Sequence, residues 1–147
     1  MNSLIQLLAK DKNFEAHLVT SLAAGLPAVA AVPQDLGRVL INLFTNAFHA
    51  VQERRQARPA AYQPEVHVTT RAVPAGVEIR IRDNGTGIPE AVRQKIFQPF
   101  FTTKALGEGT GLGLSLSFDI VTTGHGGTLV AESEEGVGTE FVVTLPA

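Results

Sequence analysis

Glycine occupies positions 107, 109, 111 and 113, alternating with Glu108, Thr110 and Leu112, before the chain turns apolar at Leu114 and Leu116. Glycine permits φ > 0 and lets a ligand approach the main chain closely. A glycine run that opens into a helix presents bare N–H groups and the positive end of the helix dipole, which is chemistry suited to phosphate. A flexible connector has the same local composition. Spacing removes two better-known phosphate loops. No glycine is followed at the required distance by Gly-Lys-Ser/Thr, so a Walker A loop is excluded. The dinucleotide fingerprint would need its last glycine where Leu112, Leu114 or Leu116 stands.

A second polar set lies on an apolar helical background. Asn42, Asn46 and His49 are four and three residues apart, which places them on one helix face. Two amides and an imidazole in one stripe can line a polar pocket, with carbonyl oxygens of the type Mg²⁺ accepts. A solvated face or an internal hydrogen-bond network has the same pattern. A third candidate is Asp83, at the start of Asp-Asn-Gly-Thr-Gly and at the end of an alternating strand. It can accept a hydrogen bond from a nucleobase amine or hold a metal, although Asp-Asn-Gly is also plain turn chemistry.

The elements that must position these residues follow from periodicity. Residues 13–21 alternate as a strand, and residues 28–32 read as a short second one. Pro33 opens the strongest helix, with Leu36, Val39, Leu40, Leu43, Ala47, Ala50 and Val51 recurring at three and four, ending near Gln56. Residues 65–72 and 77–83 form a hairpin about Val-Pro-Ala-Gly. Helices are predicted over 89–97, with Pro at the first position, and over 112–123, and strands over 128–133 and 139–145. The expected fold is an α+β two-layer sandwich, with about five mostly antiparallel strands in a mixed sheet and three helices on one face.

The 147 residues suit one domain, and a 44% apolar composition supports a real core. A net charge of −2 gives no electrostatic footprint for nucleic acid or an anionic membrane. The absence of cysteine excludes disulfides and thiolate chemistry and fits a cytoplasmic location. Residues 3–10 read as a short amphipathic helix, either core packing or the tail of a longer helix. His17 and His67 fall in strands, and His125 sits at a helix end, where a cation suits the dipole.

Five segments in order resemble the ATP-binding catalytic domain of sensor histidine kinases, in the superfamily shared with DNA gyrase, Hsp90 and MutL. NLFTNAFHAV resembles the N box, DNGTGIPEAVRQKIF the first glycine box and FQPFFTTK the F box. GEGTGLGLSLS resembles the second glycine box, and EEGVGTEFVVTLP the closing strand motif. The resemblance implies the Bergerat fold over residues 13–147, with 1–12 a residual helix or linker from an absent dimerisation domain.

By the same resemblance Asn46 coordinates the Mg²⁺ that bridges the ATP phosphates, with Asn42 helping directly or through water. His49 and Lys104 face phosphate. Asp83 takes the adenine amino group, Gly85 and Gly87 shape the pocket, and Thr139 reaches adenine through water. Gly109, Gly111, Leu112 and Gly113 close over the phosphates as a lid that orders on binding nucleotide. Ala50, Ile88, Thr102, Thr103 and Thr110 complete the nucleotide contacts, while Phe97, Phe100 and Phe101 supply hinge and docking surface.

ATP-hydrolysing members of the superfamily carry a glutamate base four residues before the metal asparagine. Here that position is Asn42, which cannot act as a base. Transfer to a positioned acceptor is therefore favoured over ATPase cycling. No acceptor histidine stands in its expected context, so the implied partner is a separate phosphoacceptor/dimerisation domain, with a response regulator served indirectly and the isolated domain a monomer. An anti-sigma-type serine kinase and a nucleotide-gated interaction module share the same boxes.

Overall fold

The computed structural model of the chain describes residues 17–22, 31–57, 63–98 and 113–146. Five strands, β1 (His17–Leu22), β2 (Glu65–Val73), β3 (Gly76–Asp83), β4 (Thr128–Glu134) and β5 (Gly138–Pro146), form one sheet in the order β1-β2-β3-β5-β4. β1 and β2 are parallel and the remaining pairs antiparallel. A parallel pair needs a long crossover, and helix α1 (Pro33–Ala57) lies in that connection.

Period-two alternation decides which side of the sheet is buried. Val66 and Val68 of β2, Val77, Ile79 and Ile81 of β3, Leu129 and Ala131 of β4, and Phe141, Val143 and Leu145 of β5 all join one core. From α1 the same core takes Val39, Leu40, Leu43, Phe44, Ala47, Phe48 and Val51, spaced three and four apart. Phe44 and Phe48 are fully buried, and each side chain of this kind contributes about 1.5–3 kcal/mol of transfer free energy. Asp83 shares the inward parity of Val77, Ile79 and Ile81. On the opposite face Glu78 receives Arg80 at 2.6 Å and Arg71 at 2.8 Å, and Arg80 continues to Glu140 at 2.7 Å. The hydrogen bonds from Arg80 and then Arg71 hold Glu78 below the usual carboxylate range.

Three expectations need correction. The helix expected over 89–97 is a single short α-helix, α2 (Glu90–Arg93), followed by turns. Its ladder changes to shorter bonds, from Lys95 N–H to the Val92 carbonyl and from Gln98 N–H to Lys95, and the tighter winding buries Ile96. The helix expected to reach residue 123 is α3 (Gly113–Asp119), continued by one wider π-helical turn (Ile120–Gly124). Gly127 then passes so close to β5 that an added Cβ would stand 2.1 Å from the Thr144 carbonyl oxygen. Of the proposed strand at 28–32, Ala31 and Val32 lie in no strand, and 28–30 fall outside the described residues. The Val32 carbonyl instead accepts Leu36 N–H at 2.9 Å, opening α1. The described helices cover one face of the sheet, with Ile88, Val92, Phe97, Leu114, Phe118 and Ile120 packed on its core.

Candidate functional site

Asp83 ends β3 with its side chain directed into the layer between sheet and helices, where it is 3% exposed. Its Oδ1 accepts the Gly85 N–H at 2.9 Å, and the Thr139 backbone N–H also donates to the carboxyl. Burial outweighs these two donors and pushes Asp83 up to about 7. Among the described residues this carboxyl is held by backbone donors, and such a group in a dry position can accept a hydrogen bond from a small amine-bearing ligand.

The loop after Asp83 is fixed from three sides. Asn84 donates to the Gln63 carbonyl at 2.9 Å and accepts the Glu65 N–H at 2.8 Å, tying the loop to the start of β2. Gly85 lies against α1 so closely that a Cβ would meet the Ala50 backbone and Cβ at 2.6 Å. Gly87 adopts φ +73°, and a Cβ there would lie 2.2 Å from the Glu134 carbonyl oxygen. The Ile88 N–H donates to Ser133 Oγ at 2.7 Å, and the Ser133 and Thr139 hydroxyls pair at 2.8 Å. Both glycines therefore have a packing reason to be glycine.

Ala50 is also one turn beyond Asn46 on α1. Loop and polar helix stripe consequently meet at one place. Asn46 turns its amide nitrogen back to the Asn42 carbonyl at 2.9 Å, so the rotamer directs Oδ1, the atom type Mg²⁺ takes, away from that bond. Asn42 donates to the buried Ser117 at 3.2 Å, which joins α1 to the helix that follows the glycine stretch. His49 is half-buried on the same helix. Two asparagine amide oxygens one turn apart on a helix would suit a magnesium ion whose remaining ligands came from a nucleotide's phosphates.

Residues 31–147 match the family model described as histidine kinase-, DNA gyrase B- and HSP90-like ATPase. The chain belongs to this family. It is 39% identical over 147 residues to the sensor histidine kinase ZraS of Escherichia coli K12, covering 99% of this chain and 29% of that protein. It is 42% identical over 124 residues to the sensor kinase CckA of Brucella abortus, covering 78% and 13% respectively. Among solved structures, the catalytic domain of the histidine kinase ThkA superposes with a TM-score of 0.77 at 30% identity, covering 99% of this chain and 91% of that one. The chain spans under a third of these curated relatives. The two-layer fold and membership of this ATPase family are thus established together.

Within this family framework the expected site residues divide into two groups. Ala50, Asp83, Gly85, Gly87, Ile88 and Thr139 meet where α1, the loop and the β4–β5 hairpin come together, while Asn42, Asn46 and His49 lie on α1 within about two turns of Ala50, with Asn42 bonded to Ser117. Thr102, Thr103, Lys104, Gly109, Thr110, Gly111 and Leu112 lie outside the described residues, as does the helix expected over 3–10, and Gly113 begins α3. Phe97 meets Phe118 of α3 with ring centroids 5.2 Å apart, so it supports the helix after the glycine stretch. Sequence reasoning missed Ser133, Ser117 and Arg54. Arg54 alone carried a signal, lying four residues beyond Ala50 on the ladder that runs through Asn42 and Asn46.

His125 differs from expectation. Its Nε2 accepts the Val32 N–H at 3.0 Å while Nδ1 lies 2.8 Å from the Ile120 carbonyl, so the ring works as a neutral bridge. It staples the entrance of α1 to the end of the π-helical turn instead of supplying charge to the helix end. His125→Ala is expected to cost about 1 kcal/mol of stability, since water can reach the freed Val32 N–H, with nucleotide affinity unchanged. Chemical denaturation followed beside nucleotide titration checks both halves. His67 pairs with Glu65 at 3.3 Å near the surface and takes no part in the site. Among the described residues no helix is long and apolar enough to cross a membrane.

Proposed function

We propose that this domain binds Mg-ATP and transfers the γ-phosphoryl group to a histidine on a separate phosphoacceptor/dimerisation domain, which then serves a response regulator. The observation that carries the reading is the buried, backbone-cradled carboxyl of Asp83, whose loop packs through Gly85 against Ala50, one turn beyond Asn46 on α1. In this scheme Asp83 accepts the adenine amine and Thr139 acts beside it through water, with its hydroxyl oriented by Ser133. Asn46 would hold Mg²⁺, with Asn42 helping directly or through water, and the chemistry supplied there would be charge neutralisation at the phosphates. His49 and Lys104 face the phosphates, and residues 109–113 close over them.

Nothing on α1 supplies a carboxylate base at the position of Asn42, which donates to Ser117 instead. An acceptor imidazole brings its own nucleophilic nitrogen, so positioning and charge neutralisation suffice. The sensor-kinase relatives support this reading over a serine kinase or a non-catalytic module.

The test supplies a histidine-bearing phosphoacceptor domain in trans with γ-labelled ATP. Label is expected on that domain as an acid-labile, alkali-stable phosphohistidine, in proportion to bound nucleotide. Tight ATP binding with no phosphohistidine on any cognate acceptor would remove the kinase assignment and leave a nucleotide-binding module.

A further inference from the structure

Besides the packing of Gly85 on Ala50, one guanidinium of α1 ties down the loop that presents Asp83. Arg54 Nη1 donates to the Asn84 carbonyl at 2.9 Å, to the Gly85 carbonyl at 3.1 Å and to the Val137 carbonyl at 3.3 Å. The first two acceptors belong to the loop and the third to the β4–β5 turn. That turn is itself tied to the loop, because the Gly136 N–H donates to the Thr86 carbonyl at 2.7 Å. Carbonyls of irregular loops have no ladder partner, and a charged planar donor satisfies several at once with short, directional bonds. Arg54 thereby closes a triangle of helix, loop and turn around the end of β3.

We propose that Arg54 is a positioning residue for base recognition, holding the loop so that the Asp83 carboxyl keeps the orientation that selects an adenine amine. The inference rests on the nucleotide-binding reading above. It assigns Arg54 no contact with phosphate or metal, since its bonds go to the base end of the site. Its loss acts equally on every adenine nucleotide and spares the difference between di- and triphosphate. A residue of purely structural importance would lower the melting temperature without altering the choice of base.

The experiment titrates ATP, ADP and GTP into the wild-type chain, Arg54→Met and Arg54→Lys, with thermal melts of each. Arg54→Met is expected to weaken ATP and ADP by the same factor, about tenfold, as for loss of a charged hydrogen-bond set, and to narrow the preference for ATP over GTP. Arg54→Lys, whose ammonium can still donate to carbonyls, is expected to recover most of the affinity and preference. ATP and ADP affinities within twofold of wild type in Arg54→Met would overturn the proposal, and so would a loss confined to ATP. Should Arg54→Met fail to fold, Arg54→Lys and Arg54→Gln carry the same comparison, and an unchanged ATP/GTP ratio in both overturns it. A wild-type chain that binds none of the three nucleotides removes the nucleotide reading itself, which is a distinct outcome.

Discussion

Asp83→Asn is expected to weaken adenine-nucleotide binding by about a hundredfold or more, the equivalent of roughly 3 kcal/mol, while stabilising the nucleotide-free domain at pH 8. The Gly85 and Thr139 backbone N–H groups both point at the carboxyl, so an asparagine must offer them its oxygen. Its NH₂ then faces the proposed adenine amine, donor against donor. The stability gain has a separate origin. Burial raises Asp83 to about 7 from an ordinary 3.8, so between these values the folded state holds a proton that the unfolded state has released. The favourable contribution is complete below the unfolded value and is lost as pH rises through the folded one. At pH 8 the folded domain carries a buried carboxylate, an upper-bound cost of about 4 kcal/mol.

Thermal melts of the nucleotide-free wild type and Asp83→Asn at pH 5 and pH 8 read this directly. The wild type should lose more stability between the two conditions than the variant does. Parallel pH slopes for the two proteins would show that the carboxyl is ionised throughout and that burial does not strain it. A group kept at a thermodynamic cost in the empty domain is what a binding site, as distinct from a fold, requires.

How much of this could be read in the chain depends on the range over which each feature acts. Alternation placed Asp83 at the end of its strand, and helical spacing placed Asn42 and Asn46 together, because both patterns repeat within a few residues. The core face of α1 was equally legible, although Phe44 and Phe48, its largest buried side chains, needed the structure to show their weight. Features set by contacts distant in sequence were not legible. Arg54's place on the Asn42–Asn46–Ala50 ladder was readable but its partners were not, because they are carbonyls, which have no side-chain signature, in two segments remote from its helix. His125 was expected to carry charge from its place at a helix end, yet its partner is Val32, on the far side of the chain order. The short α2 and the π-helical turn arise because Ile96 and Val121 must reach the core, which local periodicity cannot report.

Gly87→Ala is expected to be among the most damaging small changes in the domain, costing about 2–4 kcal/mol and reducing nucleotide affinity with it. Two penalties coincide there. The backbone sits at φ +73°, which alone costs a residue with a Cβ about 1–2 kcal/mol, and that Cβ would be driven to 2.2 Å from the Glu134 carbonyl oxygen. Relief requires the loop to separate from the β4–β5 hairpin, which breaks the Ile88 N–H bond to Ser133 and the Gly136 N–H bond to Thr86. Gly136, in the turn of that hairpin, provides the control. It also has a positive φ, +84°, but a Cβ there meets nothing within 4 Å. Gly136→Ala should therefore show only the conformational part, about 1 kcal/mol, and leave nucleotide affinity unaltered. The difference between the two variants isolates the contact between loop and hairpin. Equal destabilisation would place the whole cost in the dihedral and deny the loop its steric lock. A larger loss for Gly87→Ala, accompanied by weaker binding, would tie the geometry of the proposed nucleotide site to the contact between loop and hairpin.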